Sequence, residues 1–334
     1  MKLNEKQVTL LQALTKRAVN GQDKCEHDPR EHPKGKVPKS PHERVYLSKP
    51  EVTWLLKVDF IKEESSSFGS TTYTLTDKGF TQGWKETRIP KLNLKKLMLH
   101  LFDLQVFHPL PSGKHKGETP IPFIWTPGSW DSKVVLVLGP NAGGKSFFRK
   151  IISMLTARKT RDDPKGGPFQ IHENIALSMA GRAGGGIMSS MVYGDEGWRS
   201  TGENSAHTVI TSLSTLRGRR HPVIVHWDEP DIGMSPDCSA GVGQVIREFA
   251  DDLPPQVQAM FLTSHSAALV AQVAQVKATP HYVYLGDSTG PQSVQEWLTQ
   301  MTNPFPTPVS PQELGDRSHA RFKLIQEVLD RKKK

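Results

Sequence analysis

The feature that most constrains this chain is a change of hydrophobic period around residue 139. Lys133 to Leu138 (KVVLVL) is a short apolar run rich in β-branched residues, as expected of a strand covered on both faces in a parallel sheet. A glycine-rich loop follows at once, Gly139-Pro140-Asn141-Ala142-Gly143-Gly144-Lys145-Ser146. Beyond it Phe147, Phe148, Ile151, Ile152 and Leu155 share one face of a helix. A strand, loop and helix of this kind bury their apolar surface in a layered α/β sheet, with the loop at the strand's carboxyl end.

The loop fits G-x-x-x-x-G-K-[ST] in the context that motif requires. Glycines allow successive backbone N–H groups to turn inward around phosphates. The new helix points its positive end at the same place. Lys145 can reach β- and γ-phosphates, and the Ser146 hydroxyl can hold Mg²⁺. ATP with Mg²⁺ is the expected ligand, held by Gly139 through Ser146 and by Phe147.

Two further strands carry chemistry at their ends. Val223 to Trp227 runs into Asp228-Glu229-Pro230. Behind a phosphate loop, Asp228 is placed to bind Mg²⁺ directly or through water, and Glu229 to orient or deprotonate an attacking water. Met260 to Ser264 ends at His265, which can hydrogen-bond a γ-phosphate or that water. Taken singly, an Asp-Glu pair after a strand is often a solvated turn, and a strand-end histidine is often structural. Here three strand ends in succession carry the expected group.

The order phosphate loop, Ser200-Thr201-Gly202-Glu203, Asp228-Glu229-Pro230, His265 resembles the ABC-type ATPase superfamily over roughly residues 92–290. The wording is that of its non-transporter, RecF- and SMC-like members. The resemblance implies an α/β P-loop NTPase of ABC type with a small helical lobe. It also implies a dimer that sandwiches ATP between one phosphate loop and the partner's signature. Ser200 matches the signature serine and Gly202 its second glycine, while Thr201 and Arg199 replace the usual glycine and leucine. Glu203 stands where non-transporter members often carry glutamate. Read by itself, Ser-Thr-Gly-Glu is a good helix N-cap, before an amphipathic helix with Ala206, Val209, Ile210, Leu213 and Leu216 inward.

Other positions depart from that family. Ser235 stands where an aspartate usually closes the loop after Glu229-Pro230. Gln170 is the one candidate for the glutamine loop and is poorly framed. Only 54 positions separate Ser146 from Ser200, too few for a long coiled-coil arm. The loop wording is also similar to that of the MutS mismatch-repair ATPases, but the Asp-Glu-Pro-Asp continuation is not.

Residues 1–86 have a different character. Glu5 to Ala18 suits a helix, and Ser48-Lys49-Pro50-Glu51 is a capping box opening a second, with Val52, Leu55 and Leu56 inward. Asp59–Lys62 and Thr71–Thr76 suit two strands of a hairpin. This order resembles winged helix-turn-helix domains, an α+β fold that implies DNA or a protein as partner. About 20–44 is polar and proline-rich, as in a long loop or disordered insertion. It holds Cys25, His27 and His32, whose spacing matches no zinc signature. Residues 291–334 form a proline-rich link, a helix with Phe322, Ile325, Val328 and Leu329 on one face, and a frayed Lys332–Lys334 tail.

Composition narrows the setting. No apolar run in the 334 residues is long enough to span a bilayer, so membrane insertion is not expected. Two distant cysteines and a polar N-terminus fit a cytoplasmic protein. The net charge of +9 favours a polyanionic partner. From Met1 to Lys91 there are 17 Lys and Arg against 12 Asp and Glu. Lys49, Lys57 and Lys62 are the groups best placed to meet DNA phosphates, and Phe68 at the wing tip the group for a protein.

The expectation is an ATP-hydrolysing, non-transporter ATPase that dimerises on ATP and acts on DNA or a DNA-bound protein in repair, mobile-element or phage defence. A transporter's nucleotide-binding subunit and a slow ATP-dependent switch or scaffold are the alternatives.

Overall fold

A computed structural model describes residues 3–19, 24–27, 45–67, 70–86, 92–157, 167–169, 173–177, 200–303 and 309–331. Phe68, Gln170, Arg199, Lys332–Lys334 and most of 20–44 lie outside these described residues. The chain divides into two compact units. One comprises Met1–Lys91, Ser214–Pro222 and Pro254–Val257, the other Leu92–Leu213, Val223–Leu253 and Gln258–Lys334.

The first unit begins with α1 (Glu5–Val19) and β1 (Lys24–His27). Then come α2 (Lys49–Lys57), β2 (Ile61–Ser67), β3 (Ser70–Leu75) and α3 (Asp77–Glu86). α2 starts where its capping box places it: the Ser48 backbone N–H donates to Glu51 Oε2 at 2.8 Å. The three strands are antiparallel in the order β1-β3-β2. Leu11 and Leu14 of α1, Leu55 of α2, Phe80 and Trp84 of α3 and Tyr73 of β3 close on one core. Within this unit Arg220 pairs with Asp77 at 2.8 Å and sits over the Phe80 ring.

Two expectations need correction here, and one helix is an addition to them. β1 lies inside the stretch expected to be an irregular insertion, with Cys25 buried and its thiol donating to the Tyr73 carbonyl at 3.6 Å. A four-residue strand of sequence KCEH is too short to show a hydrophobic period; its pairing with β3 is a tertiary event. The first hairpin strand runs Ile61–Ser67, beyond the expected Lys62. α3 follows the hairpin unannounced, because Gly79 and Gly83 weaken its helical propensity while Phe80 and Trp84 bury one face.

The second unit is an α/β layer with a mixed six-stranded sheet. Its strands are β4 (Phe123–Thr126), β5 (Val134–Leu138), β6 (Glu173–Leu177), β7 (Val223–Asp228), β8 (Val257–Thr263) and β9 (His281–Leu285). The spatial order is β4-β9-β5-β8-β7-β6. β5 runs parallel to β8 and β9, and β6 to β7, while β4 is an antiparallel edge. Every residue of β5 and β8 is buried, the polar Gln258 and Thr263 of β8 included, as in strands covered on both faces.

The helices are α4 (Leu94–Phe102), α5 (Lys145–Thr156), α6 (Thr201–Gly218) and α7 (Pro236–Asp251). They continue with α8 (Ala267–Val273), α9 (Val294–Met301) and α10 (Pro311–Arg331). α4, α5 and α10 share one core with the sheet. Phe148 of α5 lies at its centre, against Phe107, Phe123 and Phe261. Three amphipathic faces differ from expectation, the first being that of α2, where Val52 and Leu55 are buried but Leu56 is exposed. In α10 the buried residues are Leu324, Ile325 and Val328, while Phe322 and Leu329 are exposed. In α6, Ile210 is exposed although Val209, Leu213 and Leu216 are buried. A helical period locates an apolar stripe but not which edge of it meets the neighbour. Among the described residues no helix is long and apolar enough to cross a membrane.

Candidate functional site

The site lies where β5, β8 and β7 end side by side. β5 delivers the loop Gly139–Ser146, β8 delivers Ser264 and His265, and β7 delivers Asp228 and Glu229. The loop turns back at once because Gly139 has φ +144 and packs against the Leu285 carbonyl, which a Cβ would meet at 2.1 Å. Gly144, at φ +102, is the N-cap of α5. Two other residues hold left-handed backbone without being glycine, Ala142 at φ 58 and Glu229 at φ 54. Each conformation costs on the order of 1–2 kcal/mol for an L-residue. The Glu229 backbone is held by its N–H, which donates to the Thr263 carbonyl at 2.9 Å.

Lys145 opens α5 and is only 8 % exposed. Its ammonium donates to the Gly139 and Pro140 carbonyls, each at 3.0 Å, and lies 2.9 Å from His265 Nε2. Burial lowers the Lys145 pKa to about 8, against the opposing pull of Glu229 and Asp228. Burial, then the Lys145 charge, lowers that of His265 to about 4. The imidazole is therefore neutral at pH 7, with Nε2 accepting from the lysine and the proton on Nδ1. Glu229 Oε1 stands 3.4 Å from the same Nε2. Burial and then the neighbouring Asp228 raise the Glu229 pKa, moving a carboxylate toward the range of a useful base.

Asp228 is held from two sides. Its Oδ1 accepts from the Thr263 hydroxyl at 2.7 Å, and its Oδ2 lies 3.9 Å from Arg149 Nε, one turn into α5. The buried Asp231 accepts from the Ser264 hydroxyl at 3.1 Å, tying the loop after β7 to the end of β8.

These groups border a cleft of about 340 Å³, lined by the loop from Asn141 to Phe147, by Asp228 and Glu229, and by Ser318, Arg321, Phe322 and Ile325 of α10. Among the described residues no cluster of three or more His, Cys, Asp or Glu could hold a metal on protein ligands alone. The Ser146 hydroxyl and the Asp228 carboxylate, which line one cleft, are the oxygen donors that could hold a hard cation.

Ser200, Gly202 and Glu203 do not line this cleft. They border a second groove of about 490 Å³ with Met234, Cys238 and Val242. The N-cap arrangement read from the sequence is formed: the Ser200 N–H donates to Glu203 Oε2 at 2.8 Å, and the Glu203 N–H to Ser200 Oγ at 3.3 Å. The Ser205 hydroxyl then donates to the Ile232 carbonyl at 2.9 Å, docking the start of α6 on the loop after Glu229.

Sequence reasoning missed Arg149, Thr263, Asp231 and Arg321. Arg149 had a signal, lying four residues after Lys145 on the same helix face. Arg321 had none, being 178 residues from the Gly143 carbonyl to which it donates. Compared with known protein families and with curated proteins, the chain matches no family model and no individual protein significantly.

Proposed function

We propose that this chain binds ATP with Mg²⁺ in the cleft at the glycine-rich loop and hydrolyses it. The observation that carries the reading is that one cleft gathers Lys145, Ser146, Asp228 and Glu229, with His265 in contact with two of them. Lys145 exchanges two backbone carbonyls for phosphate oxygens, and α5 directs its N-terminal N–H groups at the same anion. Ser146 and Asp228 would hold Mg²⁺, whose chemistry is to neutralise charge building on the phosphates. Glu229 orients the attacking water and takes its proton, while His265 supports the γ-phosphate.

The test is calorimetric titration of ATP into the wild type and into Lys145→Ala. Binding by the wild type and its loss in a folded variant are expected. Equal affinities would remove the cleft from consideration as a nucleotide site.

Action in this reading is that of a dimer, with Ser200, Gly202 and Glu203 of one copy meeting the nucleotide of another. Their place outside the cleft, at the N-terminus of an 18-residue helix, supports that role over one within the chain's own site. DNA or a DNA-bound protein is the proposed partner, on the basis of the charge of residues 1–91 and of α1 and α2 preceding the β2–β3 hairpin, with β1 between the two helices. Anisotropy of labelled duplex with the full chain, at low and high salt, checks this: log affinity should fall linearly with log salt. No binding at low salt would leave a protein as the partner.

A further inference from the structure

The cleft has a wall that the loop, β7 and β8 do not account for. α10 lies along it, and Arg321 donates to the Gly143 carbonyl of the glycine-rich loop. The helix is not a loosely applied tail. Leu324, Ile325 and Val328, in the next turn, are buried in the same core as Leu97, Leu101 and Phe148. At its far end Arg331 donates to the Ser112 carbonyl and pairs with Glu327. By contrast, the residues before Arg321, from Pro311 on, are exposed apart from Leu314. Beyond Ser318, which also borders the cleft, Arg321 is the residue of α10 that hydrogen-bonds the glycine-rich loop.

We infer that α10 completes the nucleotide site and that Arg321 is a phosphate-binding residue, supplied from the far end of the chain. This rests on the nucleotide reading of the cleft. A guanidinium has five N–H donors in a fixed fork. The Gly143 carbonyl takes one, and no further hydrogen bond from this group is made among the described residues. Asp287 and Tyr284 are its electrostatic neighbours. The group is half-buried, so an anion entering the cleft meets a cation already positioned and partly stripped of water. Phe322 beside it is 61 % exposed at the mouth of the same cleft, and with Phe147 it offers apolar surface to the rest of the ligand.

The experiment is calorimetric binding of ATP, ADP and AMP to the full chain as wild type, Arg321→Gln, Arg321→Lys and Arg317→Gln. Loss of charge-assisted hydrogen bonds should weaken ATP and ADP about 10- to 100-fold in Arg321→Gln, with Arg321→Lys intermediate. AMP should lose less than ATP. Arg317, one turn earlier and paired with Glu313 on the exposed stretch, should be neutral on substitution and so controls for net charge. A thermal melt without nucleotide checks that each variant is folded. Wild-type affinity in a folded Arg321→Gln overturns the inference. Tighter binding also overturns it, since α10 would then be a plug rather than a wall. Absence of nucleotide binding by the wild type would instead sink the reading of the cleft, and this inference with it.

Discussion

The Lys145 ammonium lies 2.9 Å from His265 Nε2, so the lysine of the glycine-rich loop is already engaged by the strand end opposite it. The pair carries one positive charge, on the lysine, and burial acts against the charged form of both partners. A polyphosphate that draws Lys145 away restores the lysine's preference for charge and leaves Nε2 free to turn toward phosphate or water.

A pH-dependent affinity follows. With the free Lys145 pKa near 8, ATP binding should take up a proton as pH rises from 8 toward the ordinary lysine value. Apparent affinity should therefore fall over that interval. Calorimetry in buffers of different ionisation enthalpy measures the uptake directly. Affinity and proton uptake that stay flat to pH 10 would mean that Lys145 keeps its charge without ligand.

Glu229→Gln should keep ATP affinity and slow phosphate release by about 10²–10⁴-fold, the usual worth of a positioned general base. The amide retains the shape and can still occupy the left-handed backbone at φ 54. His265→Ala should slow turnover less, since it removes support for charge and not the proton acceptor. Wild-type phosphate release from Glu229→Gln would move the base elsewhere.

Ser200→Arg should block ATP-driven self-association while each chain still binds nucleotide. A cation at the N-terminus of α6 opposes the helix dipole, and its bulk fills the mouth of the second groove. Sedimentation of Glu229→Gln with ATP, with and without Ser200→Arg, reads the effect. A dimer that survives the second change would mean that this helix end does not face a partner's nucleotide.

Acid stability should depend on His226. This histidine is buried in β7, stacked on Phe261 with ring centroids 5.2 Å apart, and faces Asn174 Oδ1 at 3.3 Å. Burial and then Arg149 depress its pKa to about 3. The unfolded chain therefore takes up a proton that the native chain refuses. Stability is full above pH 6.5 and erodes as pH falls toward 3, by at most about 1.4 kcal/mol per pH unit. His265 adds an effect of the same sign down to about pH 4. Chemical denaturation at pH 7 and pH 5 should show a smaller difference in His226→Phe, which keeps the aromatic stack. An unchanged difference would place the acid limb on other groups.

What the sequence alone determined was local. A β-branched apolar run, a glycine loop and a 3.6-residue period are short-range patterns, and β5, α5 and β7 form where they occur, while β8 begins at Val257, ahead of the expected Met260. The α2 start was legible for the same reason, since a capping box is chemistry between residues three apart. The tertiary structure decided what depends on pairing and packing. β1 exists because β3 offers it an edge, and α3 because Phe80 and Trp84 have a core to enter. Lys145, Glu229 and His265 were each legible as strand-end or loop groups. Their contact depends on β5, β8 and β7 being neighbours in the sheet, which no spacing in the chain records. Arg321 is the clearest case: nothing near it in sequence distinguishes it from Arg317. Only the burial of Leu324, Ile325 and Val328 against the sheet core turns one of the two arginines toward the loop and leaves the other in water.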